Sequence, residues 1–385
     1  MCTILFMYQQ RKNILLGSIF LLIISCKTKM EDSTPLESGI RIPVIYAKGF
    51  TIYDYGDYVS LTVRDPLDTN KIFQTYFLCH GESITEGKDG INIKVPLNDI
   101  ACLSTTHIGF LEVLNLEDKL IAFSGSKYIY SDKITGLVNA GKIAEVGNEG
   151  GLNTELLISL KPDIIMAYDI GDAEYDHFQK LKELQLLPVL NNEYLELTPL
   201  GQAEWIKFVA AFFDKMEEAN KIFEKIAEDY NSIKASTALV ENKPTVFTGL
   251  AFKGEWTIPG GNSFAANYLK DAGASYLWLN DTKTGNFAVS LEEMIAKGKD
   301  GEYWLHAGAA DNLNELKEGD ERYQYFSALK NGNVFNNNNR VNKNGGNDYW
   351  EGGIINPQIV LKDLVKIFHP ELMIDHDFVY YKKLY

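Results

Sequence analysis

The chain has 385 residues, 45% of them hydrophobic, and a formal net charge of −15. That length leaves room for two domains, each with its own core. So acidic a protein has no electrostatic grip on phosphate backbones, which sets nucleic acid aside as a partner and suits docking onto a basic surface.

Residues 1–25 read as a signal peptide. Arg11 and Lys12 precede an apolar run from Ile14 to Ile24 that is too short to span a bilayer comfortably. The run ends at Ser25-Cys26, and with Ile23 three residues before the cysteine it resembles a bacterial lipobox. Lipidation of Cys26 is therefore expected ahead of plain secretion, with a membrane anchor third. Cleavage there removes two basic residues and no acidic ones, so the mature chain is more acidic still. Residues 26–39 are polar and read as a lipidated tether. The tether opens KTKMED, similar to charged surface-export signals of some Bacteroidetes lipoproteins. Cys79 and Cys102 then remain, and the sequence leaves their pairing open. No CxxC or zinc-type spacing occurs.

Residues 40–90 are rich in Ile, Tyr, Val and Phe between turn residues and predict a β-rich extension of two or three antiparallel strands. From 91 to 197 strands and helices alternate, with strands at Ile93–Pro96, Leu120–Phe123, Lys142–Val146 and Ile164–Ala167. This is the pattern of a mostly parallel sheet covered by helices. Residues 198–236 carry an apolar stripe at steps of three and four, including Trp205, Phe208, Phe212, Phe223, Ile226 and Tyr230. Thr198 and Pro199 suit a helix start. One continuous helix is expected here, about 50 Å long and joining two lobes. Alternation resumes over 237–385, with a helix Phe264–Asp271 after the turn PGGNS, a helix starting near Ser290, and a closing helix Pro357–Phe368. The fold class expected is α/β: two Rossmann-like lobes on one long backbone helix, with an N-terminal β-rich extension.

Three segments carry a resemblance. VGNEGGLNTELLISLKPDII is similar to the stretch of iron-complex and cobalamin binding proteins where a Glu opens a helix ending in Leu-Lys-Pro-Asp. IPGGNSFAANYLKDAGASYLW resembles the matching turn and helix of their second lobe. NDYWEGGIINPQIVLKDLVKIFHPEL resembles their closing helix. Together these span most of residues 91–375, in the expected order. The family is the class III solute-binding proteins of ABC importers, and the 40–90 extension resembles a Bacteroidetes-type lipoprotein branch.

In two-lobe α/β proteins ligands sit beyond the carboxyl ends of strands. That rule selects Thr105, Thr106, His107, Ser124 and Asn148 in the first lobe, and Trp256, Asn262, Ser263, Tyr349 and Trp350 in the second. Thr105 and Thr106 also suit a helix cap, Asn262-Ser263 suits an ordinary helix start, and Trp256 equally suits sheet core. Trp350, Tyr349 and His107 rank highest, the first two because aromatic rings in a Gly/Asn-rich loop have little local core to join, while His107 equally suits a capping or surface histidine. No catalytic signature appears, and the six histidines show no metal-ligand spacing,.

The resemblance implies capture of one bulky metal chelate (a ferric siderophore, haem or cobalamin) and delivery to an ABC permease dimer with its ATPase, without turnover. No resident cofactor or protein metal site is expected, the metal arriving inside its chelator. It further implies that Glu155 and Glu292, one per lobe, dock on permease arginines, each also favoured by a helix N-terminus. The expected protein is a monomer, lipid-anchored and periplasm-facing in the cell envelope, with surface exposure open. The alternatives are a surface corrinoid or haem scavenger uncoupled from a transporter and, behind it, a hydrolytic enzyme.

Overall fold

The computed structural model describes residues 39–81, 89–148, 151–168 and 177–385. The expected signal peptide, Cys26 and nearly all of the tether lie outside the described residues. Strands Ile40–Ile42 (β1), Phe50–Asp54 (β2), Tyr58–Arg64 (β3) and Ile72–Cys79 (β4) form an antiparallel meander, and Ile91–Lys94 (β5) joins β4 in parallel. The extension is thus larger than expected. The strand expected to open the first lobe at residue 93 belongs to this sheet instead, because Ile93 continues its buried face. That face alternates in period two through Phe50, Ile52, Leu61, Val63, Tyr76 and Leu78, all buried,. Cys79 and Cys102 are buried free thiols.

The first lobe runs Ile100–Cys102 (β6), Thr106–Val113 (α1), Leu120–Ser124 (β7), Asp132–Asn139 (α2), Ala144–Asn148 (β8), Gly151–Leu152 (β9), Thr154–Leu160 (α3), Ile165–Ala167 (β10), His177–Glu183 (α4) and Pro188–Leu190 (β11). Its sheet has the order β11-β10-β6-β7-β8-β9, parallel except for β9.

The single rod expected over 198–236 is not what forms. Pro199–Ala203 (α5) and Ile206–Ala211 (α6) are short, and only Met216–Ala238 (α7) is long, with 23 residues. At 1.5 Å per residue α7 spans about 34 Å. The break falls at Asp214, whose φ of 57° is left-handed, a region that Asp tolerates better than most residues. The breadth of the stripe has a plain cause. Residues 199–210 are buried on every side, their charged Glu204 and Lys207 paired with each other, so these helices lie inside the protein rather than bridging it,. Trp205, Phe208 and Phe212 pack on the N-terminal sheet, with the Phe50 and Trp205 rings 4.8 Å apart and those of Tyr76 and Phe212 6.4 Å apart.

The second lobe runs Thr245–Thr248 (β12), Ala251–Phe252 (β13), Glu255–Pro259 (β14), Phe264–Asp271 (α8), Ser275–Tyr276 (β15), Asn286–Ser290 (β16), Leu291–Gly298 (α9), Tyr303–Leu305 (β17), Leu313–Gly319 (α10), Ser327–Lys330 (α11), Val334–Asn336 (β18), Gly352–Ile355 (α12), Pro357–Phe368 (α13) and Lys382–Lys383 (β19). Its main sheet has the order β15-β12-β17-β18-β19, parallel except for β19, and β13, β14 and β16 make a small antiparallel sheet.

Candidate functional site

Because β6, β7, β10 and β11 are parallel, their following loops share one edge of the first lobe. Ser124 ends β7 half-buried, so close to Gly147 that a Cβ there would lie 2.0 Å from its hydroxyl oxygen. The Glu145 carboxylate holds the loop after β7, accepting from the backbone N–H of Gly125 (2.9 Å), Ser126 (2.7 Å) and Gly147 (3.0 Å). That loop presents Tyr128. Tyr168 follows β10 directly and Tyr194 lies just beyond β11, their rings 6.4 Å apart edge to face.

Beneath this surface lies a polar pair. His107, in the first turn of α1, is fully buried and neither ring nitrogen has a hydrogen-bond partner. Its Nε2 is 4.0 Å from Oε2 of buried Glu193, too far for a hydrogen bond,. Burial pushes His107 down to about 3 and Glu193 up to about 7,. His107 is therefore a floor residue and not the ligand contact expected of it.

In the second lobe the loop after β18 supplies Trp350. Tyr349 is buried under it, the two rings 4.7 Å apart and nearly perpendicular. Tyr349 also packs edge to face on Tyr381 (5.8 Å), so it supports Trp350 from the core and does not line the surface as expected. The result is four aromatic side chains, Tyr128, Tyr168, Tyr194 and Trp350, each 39–49% exposed and each on a loop that follows a sheet strand.

The lobes meet directly. Glu351, at the start of α12, accepts from the backbone N–H of Tyr130 and Ser131, both at 2.8 Å. Burial, with Glu112 and Asp348 nearby, pushes its carboxyl up to about 7. The Asn342 side chain donates to the Ile129 carbonyl at 2.7 Å, and the Arg340 guanidinium lies 5.1 Å from the Tyr130 ring centre. On α1, a Cβ at Gly109 would come within 2.5 Å of the Glu351 backbone oxygen, so this contact needs glycine.

The other expected residues have local roles. Trp256 is fully buried and donates Nε1 to the Thr248 carbonyl, which makes it sheet core and not a cleft wall. Ser263 caps α8 by accepting from Ala266 N–H, and Asn262 donates to the Thr282 carbonyl. Thr106 bonds the Ser104 hydroxyl at 2.8 Å, while half-buried Thr105 makes no capping bond. The Asn148 side chain lies outside the described residues. Glu155 and Glu292 are exposed in the first turns of α3 and α9. Tyr128, Tyr168 and Tyr194 are not among the residues the sequence selects. An aromatic within a few residues of a strand's carboxyl end is the signal that would have found them.

Similarity to known proteins follows the same outline. A family model described as periplasmic binding protein matches residues 100–340. An uncharacterized lipoprotein of Methanocaldococcus jannaschii is 30% identical over 288 residues, covering 72% of this chain and 67% of that protein. Among solved structures, Helicobacter pylori CeuE in complex with nickel and histidine superposes with a TM-score of 0.58 at 18% identity, covering 83% of this chain and 91% of its own. The periplasmic haem-binding protein HutB of Vibrio cholerae superposes with a TM-score of 0.53 at 18% identity, covering 69% of this chain and 99% of its own.

Proposed function

Because the chain belongs to the periplasmic binding protein family, class III type, we propose that it captures a bulky metal chelate between its lobes and hands it to an ABC permease. The observation that carries this reading is the set of four half-exposed aromatics on strand-following loops of both lobes. Exposed rings on a rigid frame offer large contact area at low entropic cost, which suits a macrocycle or a catechol. Ser124, which ends β7, and Thr105, which follows β6, are half-buried and add hydroxyls at strand ends of the first lobe. Ferric siderophore, haem and cobalamin all fit that description. No chemical turnover is expected.

The test is a panel of these three chelate classes, read by tryptophan quenching, with mass spectrometry of whatever co-purifies. One saturable ligand, recovered unchanged, is the expected result. Silence across the panel, or conversion of a ligand to product, would overturn it. Relatives named lipoproteins support retention at a membrane face through Cys26. Mass spectrometry of the mature N-terminus should find a diacylated or triacylated Cys26, and an unmodified peptide starting elsewhere removes the anchor.

A further inference from the structure

We propose that the second lobe carries another site, separate from the interlobe surface, for a neutral polyhydroxylated ligand of saccharide type. A groove of about 660 Å³ opens where β17 and β18 end, and residues of the second lobe alone line it. That volume falls among small-molecule pockets, about 300–1,000 Å³.

One wall is a small hairpin closed by the Val341–Asn347 bridge. Its two faces do different things, as alternation along extended chain requires. Val341, Gly345 and Asn347 face the groove. Asn342 and Gly346 face the first lobe, where Asn342 bonds the Ile129 carbonyl and a Cβ on Gly346 would lie 2.2 Å from the Tyr128 carbonyl oxygen. The hairpin is thus a partition between the groove and the contact surface of the lobes.

The floor is fixed by Asn336, which is fully buried. Its Oδ1 accepts from Ala307 N–H at 2.6 Å, and its Nδ2 donates to the carbonyls of Gly308 (3.2 Å) and Ala310 (2.8 Å). Asn337 and Asn338 follow on this rigid base and line the groove. The Oδ1 of Asn338 is sealed from solvent without any hydrogen-bond partner. Buried polar atoms are rarely left so; a turn of the half-buried Asn338 side chain toward the groove brings this oxygen to a ligand hydroxyl, and that pairing removes a standing penalty,.

A carboxamide presents a donor and an acceptor side by side, and a hydroxyl group matches both. Charge argues the same way. Asp311 and Lys382 close an ion pair of 2.8 Å at the rim, so the groove offers no net charge to an anion or a cation. The chain's −15 further disfavours anions,. Half-exposed Val341 supplies an apolar contact for the C–H face of a sugar ring.

The experiment uses the full mature chain. Side-chain amide resonances of asparagine are followed while glucose, galactose, mannose or N-acetylglucosamine is added, with inorganic phosphate and acetate as anionic probes. The expected result is a saturable shift of the Asn338 amide with at least one neutral sugar. Asn338→Leu should weaken that binding at least about tenfold, and Trp350→Ala should leave it unchanged. Should Asn338→Leu fail to fold, Val341→Glu on the open rim replaces it with the same expectation. Shifts with phosphate or acetate only, no shift with any sugar, or loss of sugar binding in Trp350→Ala would each overturn the proposal. The chelate panel is run separately, so failure here leaves that reading standing.

Discussion

Trp350 and Tyr349 are neighbours in sequence with opposite fates, and substitution separates them. Trp350→Ala should weaken chelate binding by about 1–3 kcal/mol, the usual range for an aromatic anchor, while its melting temperature stays near wild type. Tyr349→Ala removes a buried ring from the second lobe's core and should cost about 3–5 kcal/mol of stability,. Titration and thermal melts read both, and the reverse pattern would place Trp350 outside the site. The rule that ligands lie beyond strand ends selects Trp350, which the structure leaves half-exposed on such a loop. It also picked Trp256 and His107, because composition near a strand end does not say whether a ring points out or in. Glu351 was invisible for another reason: its partners Tyr130 and Ser131 lie some 220 residues away. That carboxyl gives a pH prediction. Its folded-state value of about 7 exceeds the ordinary 4.5. The folded protein therefore holds more protons across that window, so Glu351's contribution is full below about 4.5 and lost as pH rises through about 7. Glu351→Gln cannot titrate. The wild type's stability relative to this variant should fall between pH 4.5 and 7 by on the order of 2–3 kcal/mol. Parallel pH profiles in urea unfolding would show that the shift is not there.

At the scale of elements, two buried carboxylates hold the outlying segments of the chain to its centre. Glu204 accepts from the backbone N–H of Ile45 (3.0 Å), Tyr46 (2.6 Å) and Ala47 (2.9 Å) and pairs with buried Lys207 at 2.8 Å. Asp363 does the same for Val379 (3.1 Å), Tyr380 (2.6 Å) and Tyr381 (2.9 Å). Successive N–H groups converging on one carboxylate make a strong, charge-assisted anchor. Glu204→Ala strands those donors and leaves Lys207 as an unpaired buried cation, so a loss of about 3–5 kcal/mol is expected. Hydrogen exchange over residues 43–49 should quicken in the same variant. An unchanged melting temperature with unchanged protection there would mean that apolar packing alone holds the strap. Local rules served well where an element has a cap and one apolar face. Helix α8 begins after the Ser263 cap and α13 at Pro357, which suits a first helical position, both at the bounds their sequences predict,. They failed over 198–236, where burial on all sides mimics a long amphipathic stripe and the Asp214 break has no local marker.

For the whole molecule, the question is how a −15 protein presents itself to a partner. The lobes are not loosely hinged. Glu351 and Asn342 bond across them, and Gly109 brings backbone against backbone. Little closure is expected on binding, and scattering with and without ligand should agree. A rigid pair of lobes can carry two fixed contacts. Glu155 stands exposed at the N-terminus of α3 and Glu292 at that of α9, one on each lobe. Glu292 already touches Arg322 at 3.1 Å. Exposed pairs of this kind contribute at most about 1 kcal/mol, so a permease arginine can take Arg322's place. Both acids also suit first-turn helix stabilisation, and their charge decides between the two roles. Such contacts steer encounter and fix orientation more than they add affinity. Glu155→Lys with Glu292→Lys should leave chelate affinity intact and abolish stimulation of the transporter's ATPase. If the doubly reversed protein still drives transport normally, these residues only start helices, and the protein either docks elsewhere or scavenges its ligand without a transporter.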